Sequence, residues 1–217
     1  MNAKTPFIFF ILIITFISCE KTELEFSCDP EINEYVIKNK KSLADISLGQ
    51  LNTYDISLQR AIFNSWDPLK KRSVWLEKLN TVLNKEELNL YEREHLTKLR
   101  DHIAPDYFSE SNLNNKPVSY SNFVSEWISF AITELNWTEE YIAFVVYRLY
   151  TKPEQFYQEI STLTNLSSAI TTSTEAYDCN CNTSSDFCGT AVCTSGNCNT
   201  VGGCGWLWSM ECNGNCY

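Results

Sequence analysis

The sequence predicts a mainly α fold, a bundle of about six or seven helices followed by a small disulfide-rich C-terminal tail. Three observations predict it. Gly49 is the only glycine between residues 30 and 162, so the commonest local breaker is nearly absent there. Apolar residues in that stretch recur at three- and four-residue spacing behind residues that cap helices. Eight of the ten cysteines lie between Cys179 and Cys216, and six of the seven glycines lie at or after Gly189.

The helices follow in order. Asp29-Pro30-Glu31 reads as a cap, a proline at the first helical position and an acid in the first turn. Asp67-Pro68 repeats the signal, and Leu69, Leu76, Leu79 and Leu83 follow at helical spacing, widened by Trp75 and Val82. Asn84 with Glu87 resembles a capping box. The helix it would open carries Leu88, Tyr91, Leu96, Leu99 and Ile103 on one side, and Glu87, Glu94, Lys98 and Asp101 on the other. Pro105 ends it. Ser121 can cap a further helix with Phe123, Trp127, Phe130 and Ala131 inward. Thr138 with Glu139 and Glu140 opens the next, Tyr141 to Tyr150, whose only charge is Arg148. Being apolar nearly all round, this segment belongs at the centre of the bundle. A strand over 142–147 is the rival reading, because periodicity does not settle a short apolar run. Residues 153–163 read as a last amphipathic helix.

The first nineteen residues read as an address. Lys4 is their only charge, and Phe7 to Ile17 is apolar except for Thr15. Eleven residues make about 17 Å of helix, too short to cross a bilayer core and the right length for the apolar region of a secretory signal. Phe16-Ile17-Ser18-Cys19 resembles the lipobox of bacterial lipoproteins, apart from Phe16 where leucine is usual. That resemblance implies cleavage before Cys19 and lipid on its sulfur. The organisation expected is a signal peptide at 1–18, a charged tether at 19–29, a helical domain at 30–163, a linker at 164–178 and a cysteine-rich domain at 179–217. The linker reading rests on 161–178, where nine of eighteen residues are Ser or Thr.

A segment as small as the tail buries too little apolar surface to fold unaided. In an exported chain, Cys179, Cys181, Cys188, Cys193, Cys198, Cys204, Cys212 and Cys216 therefore read as a disulfide framework of four bonds. Eight cysteines allow 105 pairings, of which only those joining Cys179 to Cys181 are excluded by strain. Nine cysteines remain after lipidation, so one lacks an intramolecular partner. Cys28, alone in sequence, is the simplest candidate, unless it pairs with the tail and frees another thiol. A metal site is the rival for the tail. Only Cys212-x₃-Cys216 has knuckle spacing and the tail has no histidine, so neither metal nor cofactor is expected.

The chain resembles the bacteriocin fulvocin C-related proteins of Bacteroidetes. The segments that carry the resemblance are Pro30-Glu31-Ile32-Asn33, Asp55-Ile56-Ser57-Leu58-Gln59-Arg60-Ala61, Trp75-Leu76-Glu77-Lys78-Leu79, Cys179-Asn180-Cys181, Gly203-Cys204-Gly205 and Cys212-Asn213-Gly214-Asn215-Cys216. It implies a lineage for the tail and transfers no catalytic residue.

The net charge of −10 argues against a phosphate-binding surface, which needs clustered Lys and Arg. No nucleic-acid partner is expected. All seventeen Lys and Arg lie at or before Lys152, so the tail lacks the basic face of peptides that attack anionic membranes. His95 and His102, the only histidines, lie near one face of an apolar stripe and read as packed side chains. No zinc-protease, serine-elbow or phosphate-loop motif occurs, and no catalytic residue is assigned. The reading is a lipid-anchored protein of the bacterial cell envelope, at the outer membrane or cell surface, that binds a protein or cell-surface partner and is not an enzyme. Its expected contact surface is Trp206, Leu207 and Trp208, exposed on the tail, although these could instead form the tail's own small core. The helical body is expected to fold without the tail. An antimicrobial precursor whose tail is the active unit is the alternative, and an uncharacterised envelope enzyme the second.

Overall fold

The computed structural model describes residues 25–85, 87–114, 118–167, 181–189 and 192–216. The expected signal peptide, Cys19 and most of the expected Ser/Thr-rich linker fall outside the described residues, as do Cys179 and the side chain of Cys198. The chain is mainly α with a disulfide-rich C-terminal region. Its helices are α1 (Pro30–Leu43), α2 (Leu48–Leu51), α3 (Ile56–Ser65), α4 (Pro68–Lys85), α5 (Leu90–His102), α6 (Glu110–Asn114), α7 (Val118–Thr133), α8 (Glu139–Val146) and α9 (Pro153–Ser167). Strands β1 (Cys193–Cys204) and β2 (Met210–Cys216) close the chain as an antiparallel hairpin, with a tight turn at Trp206–Trp208 between them.

Side-chain caps set the helix starts. Asp29 Oδ1 accepts from the backbone N–H of Glu31 at 2.8 Å and of Ile32 at 3.0 Å, with Pro30 at the first helical position. Asp55 and Asp67 do the same for α3 and α4, accepting from Leu58 and Lys70 at 2.9 and 2.8 Å. Thr138 caps α8 through Tyr141 at 3.2 Å. Two starts differ from the expected ones. Asn84 opens no helix, because α4 runs through it to Lys85. The capping box belongs to Asn89 and Glu92, each side chain bonding the other's backbone N–H at 3.0 and 2.8 Å. Both asparagines have glutamate three residues on, and the earlier one is overruled because Val82 and Leu83 extend the buried stripe of α4 up to it. Leu88 consequently precedes α5, and Tyr91 in its first turn is exposed. In α7 the helix starts at Val118, so Ser121 is an interior residue rather than a cap.

Helix α8 is the central one. Ile142 to Val146 are all buried, and the helical reading of this segment prevails over the strand. It stops at Val146, short of Tyr150. The buried Lys78 of α4 explains the stop: its ammonium donates to the carbonyls of Phe144, Val145 and Arg148. The carbonyls of Phe144 and Val145 are among those a helix leaves unpaired at the negative end of its dipole, and that of Arg148 follows two residues past the helix end. Burial, and secondarily Arg148, holds the Lys78 pKa well below the usual lysine value.

The tail is set into the body. Trp206, Leu207 and Trp208 are 0%, 0% and 1% exposed and join the same apolar core as Phe63, Trp75 and Phe144. Trp208 meets Phe63 and Trp75 edge to face at 5.4 and 6.2 Å between ring centroids, and Trp206 meets Trp127 at 5.4 Å. The Trp208 indole N–H donates to the Tyr147 carbonyl at 2.8 Å. Leu207 and Trp208 both have positive φ, 52° and 53°, a conformation bulky residues rarely adopt and one that costs about 1–3 kcal/mol each. The surrounding core over-determines it. The expectation that these three residues are exposed anchors is thereby corrected. They form a core, and it is shared with the helices, because two indoles and a leucine bury more apolar area against α3, α4 and α7 than the hairpin alone offers.

Candidate functional site

Polar contacts fix the tail on the body, and they shape the site. Asp186 is their hub. It forms an ion pair with Arg60 of α3 at 3.2 Å and lies 3.8 Å from Arg148. It also accepts from the backbone N–H of Asn182, Phe187 and Gly205 at 3.1, 2.9 and 3.0 Å. Arg148 pairs in turn with Glu159 at 2.8 Å. All these side chains are buried or nearly so, and a buried charge survives only when paired and hydrogen-bonded in this way. Despite its own burial, Arg148 has a raised pKa through Glu159 and Asp186. Asn64 of α3 donates to the carbonyls of Gly202 at 2.6 Å and Phe26 at 3.2 Å. A side chain at Gly203, where φ is +96°, would meet Asn64 Nδ2 at 2.9 Å, so glycine is required for this approach.

Among the described residues three disulfides lie within the tail, Cys181–Cys193, Cys188–Cys216 and Cys204–Cys212. Cys28 is also disulfide-bonded, which corrects the expectation that it stands unpaired. Its side chain is buried against Cys204 and Cys212, so the start of the body touches the end of the chain. Its partner lies outside the described side chains.

Between α7 and the tail runs a groove of about 650 Å³. Helical spacing gives its α7 wall two rows. Ser121, Ser125, Ser129 and Thr133 make a hydroxyl row with a period of four, and Val124, Ile128 and Ile132 make an apolar row one step away. Trp206 and Met210 of the tail and the phenols of Tyr120 and Tyr147 complete it. The tail holds both phenols. Tyr147 Oη lies 3.1 Å from Ser185 Oγ and Tyr120 Oη 3.0 Å from Ser209 Oγ, while Tyr107 donates to Tyr120 Oη at 3.0 Å. Burial raises the pKa of all three tyrosines, of Tyr107 furthest, so they stay neutral. Among the described residues no charged side chain lines the groove. It can make apolar contacts and neutral hydrogen bonds.

The two histidines sit behind α7 rather than in the groove. His95 is 3% exposed and stacks between Trp127 and Phe130, with ring centroids 4.3 and 5.0 Å away. His102 stacks on Phe123 at 3.7 Å. Burial lowers the His95 pKa to about 4, with Lys98 adding slightly and a hydrogen bond to Trp127 opposing; burial also lowers His102. A second, more open hollow of about 570 Å³ contains Arg72 and Arg100. Arg72 Nε is engaged by the carbonyls of Ile103 and Ala104, and Arg100 by Asp101.

Lys78, Arg60, Arg148 and Asp186 were not singled out as site residues by the sequence. One signal was available: Arg148 is the lone charge in an apolar segment, and a charge in such company needs a buried partner. The architecture these contacts define is a helical protein with a disulfide-stapled hairpin built into its core and a neutral groove at the join. No family model matches the chain, and no curated protein and no solved structure is similar to it.

Proposed function

We propose that this chain is a lipid-anchored protein of the bacterial cell envelope, held to the membrane through Cys19, that binds an uncharged, partly apolar ligand in the groove between α7 and the tail. The carrying observation is the groove itself. Its lining consists of hydroxyls, aromatic rings and aliphatic side chains, with the row of Ser121, Ser125, Ser129 and Thr133 along one wall. Such concave, mostly apolar surfaces with a few placed polar groups are where small ligands bind. Among the described residues no helix is long and apolar enough to cross a membrane, and the anchoring reading rests on the Ile17-Ser18-Cys19 segment.

Burial of Trp206, Leu207 and Trp208 favours this reading over a released antimicrobial peptide. A tail that supplies three residues of the body's core is costly to detach.

Anchoring is checked by feeding cells a fatty-acid analogue. The protein takes up the label, and Cys19→Ala abolishes it. Binding is checked by thermal shift of the purified chain with uncharged amphiphiles: long-chain alcohols, monoacylglycerols and alkyl glycosides. At least one class raises Tm in the wild type and fails to do so in Ser129→Trp, which fills the groove. An absence of any shift across the panel, with charged ligands binding instead, would overturn the ligand class.

A further inference from the structure

The sulfurs at the open end of the hairpin form a cluster that the groove does not use. Sγ atoms of Cys181, Cys188 and Cys193 lie within 4.8 Å of one another, although they belong to two different disulfides. Cys216, bonded to Cys188 at 2.00 Å, brings a fourth sulfur to the edge of this cluster. We propose that, once these two disulfides are reduced, Cys181, Cys188, Cys193 and Cys216 form a tetrathiolate site for a soft or borderline cation of the zinc or cadmium kind.

Three features carry the proposal. The first is distance. Zinc–thiolate bonds of about 2.3 Å in a tetrahedron place sulfurs about 3.8 Å apart; Cys188 Sγ already lies within 4.8 Å of Cys181 and Cys193 Sγ, and reduction frees that bonded pair to open to the same spacing. The second is that the backbone around them is held by bonds that reduction leaves intact. Cys181 and Gly214 exchange two backbone hydrogen bonds of 3.0 Å. Asn182 Oδ1 accepts from Ser184 and Ser185 at 2.9 and 3.1 Å, its amide donates to the Glu211 carbonyl at 2.8 Å, and Asn213 Oδ1 accepts from Thr183 at 2.9 Å. Asp186, two residues before Cys188, is fixed by Arg60. The third is access. Each of the two disulfides offers a partly exposed cysteine, Cys193 for the first and both Cys188 and Cys216 for the second, although Cys181 is itself buried, whereas Cys204 and Cys212 are both buried. A reductant reaches the open end first and spares the third disulfide.

The chemistry balances. Two equivalents of a trialkylphosphine and two of water reduce the two disulfides, giving four thiols and two molecules of phosphine oxide; a dithiol does the same and leaves as its cyclic disulfide. Binding one divalent cation then releases the four thiol protons. An all-sulfur donor set favours zinc, cadmium or copper(I) over magnesium or calcium.

The test uses the full chain, reduced by a trialkylphosphine in oxygen-free buffer, freed of reductant and titrated with cadmium. The expected result is one cadmium per chain with a thiolate charge-transfer absorption, no retention by the oxidised chain, and an unchanged near-ultraviolet circular dichroism signal from the buried tryptophans. Cys188→Ser weakens cadmium binding at least about tenfold, the lower bound known for outer-shell partners. Alkylation of the wild type gives a readout independent of that variant's folding: cadmium protects Cys181, Cys188, Cys193 and Cys216, while Cys204 and Cys212 stay oxidised. No retained cadmium, binding unchanged in Cys188→Ser, no protection of the four, or binding that appears only as the tryptophan signal collapses would each overturn the proposal.

Discussion

The helical body and the C-terminal hairpin differ in how they are held. The body is built from capped helices whose stripes meet one another, an arrangement of mostly local contacts. The hairpin, with two strands and few apolar residues, is closed by three disulfides and then inserts its turn between the helices. The difference teaches that a sharp change in composition is not a boundary in packing. Lysine and arginine stop at Lys152, and cysteine and glycine take over after it, yet the core runs across the change without interruption.

Removing the plug is the strongest way to break the comparison. Trp208→Ala loses a buried indole wedged among Phe63, Trp75 and the Tyr147 carbonyl, at about 3–5 kcal/mol. Thermal unfolding reads the loss, and residues 25–167 alone give a broad, non-cooperative transition. A sharp transition in that fragment would restore the independent body.

Asp186→Asn comes next. It leaves Arg60 and Arg148 facing each other without the carboxylate between them, and breaking a buried pair costs about 3–5 kcal/mol. The expected outcome is a lower denaturant midpoint together with faster proteolysis of the tail. An effect confined to the tail would show that the two regions melt separately.

His95 sharpens the comparison through pH. Its pKa falls from 6.5 unfolded to about 4 folded, so the unfolded chain binds the proton more tightly. Above pH 6.5 the group contributes nothing to the pH dependence. As pH falls from 6.5 towards 4, stability declines by about 3 kcal/mol. His95→Phe removes this slope. Because His95 stacks on Trp127, which touches Trp206 of the tail, denaturation at pH 4.5 lowers body and tail signals together.

The smallest effect separates two caps. Asn89→Ala costs about 1 kcal/mol, whereas Asn84→Ala, inside α4, is close to neutral or slightly stabilising, since alanine is the best helix former. Urea midpoints measure both.

Caps and stripes made much of the body legible. Asp29, Asp67 and Thr138 announce their helices by local chemistry that needs no partner far away. Asn84 and Asn89 show the limit, since both carry the same local signal and only the burial of Val82 and Leu83 decides between them. The join was illegible for a different reason. Arg60 and Asp186 are 126 residues apart, and nothing at either position reveals the other. Lys78 gives no sign of its burial in the sequence, because its partners are backbone carbonyls, which every sequence has. For the groove, the serine row at 121, 125, 129 and 133 was visible, but the wall facing it comes from the tail. Trp206 to Trp208 read as exposed anchors because the tail offers no core to receive them; the core they enter belongs to the helices.

The tryptophan plug has a consequence for synthesis. Arg60 and its tail contact Cys204 are 144 residues apart. At about 5–20 residues per second, a ribosome needs roughly 7–30 s to travel between them. Throughout that interval Phe63, Trp75 and Trp127 lack their final neighbours. The nascent chain therefore remains unfinished until its last residues emerge. The core closes only when Trp206, Leu207 and Trp208 have left the ribosome.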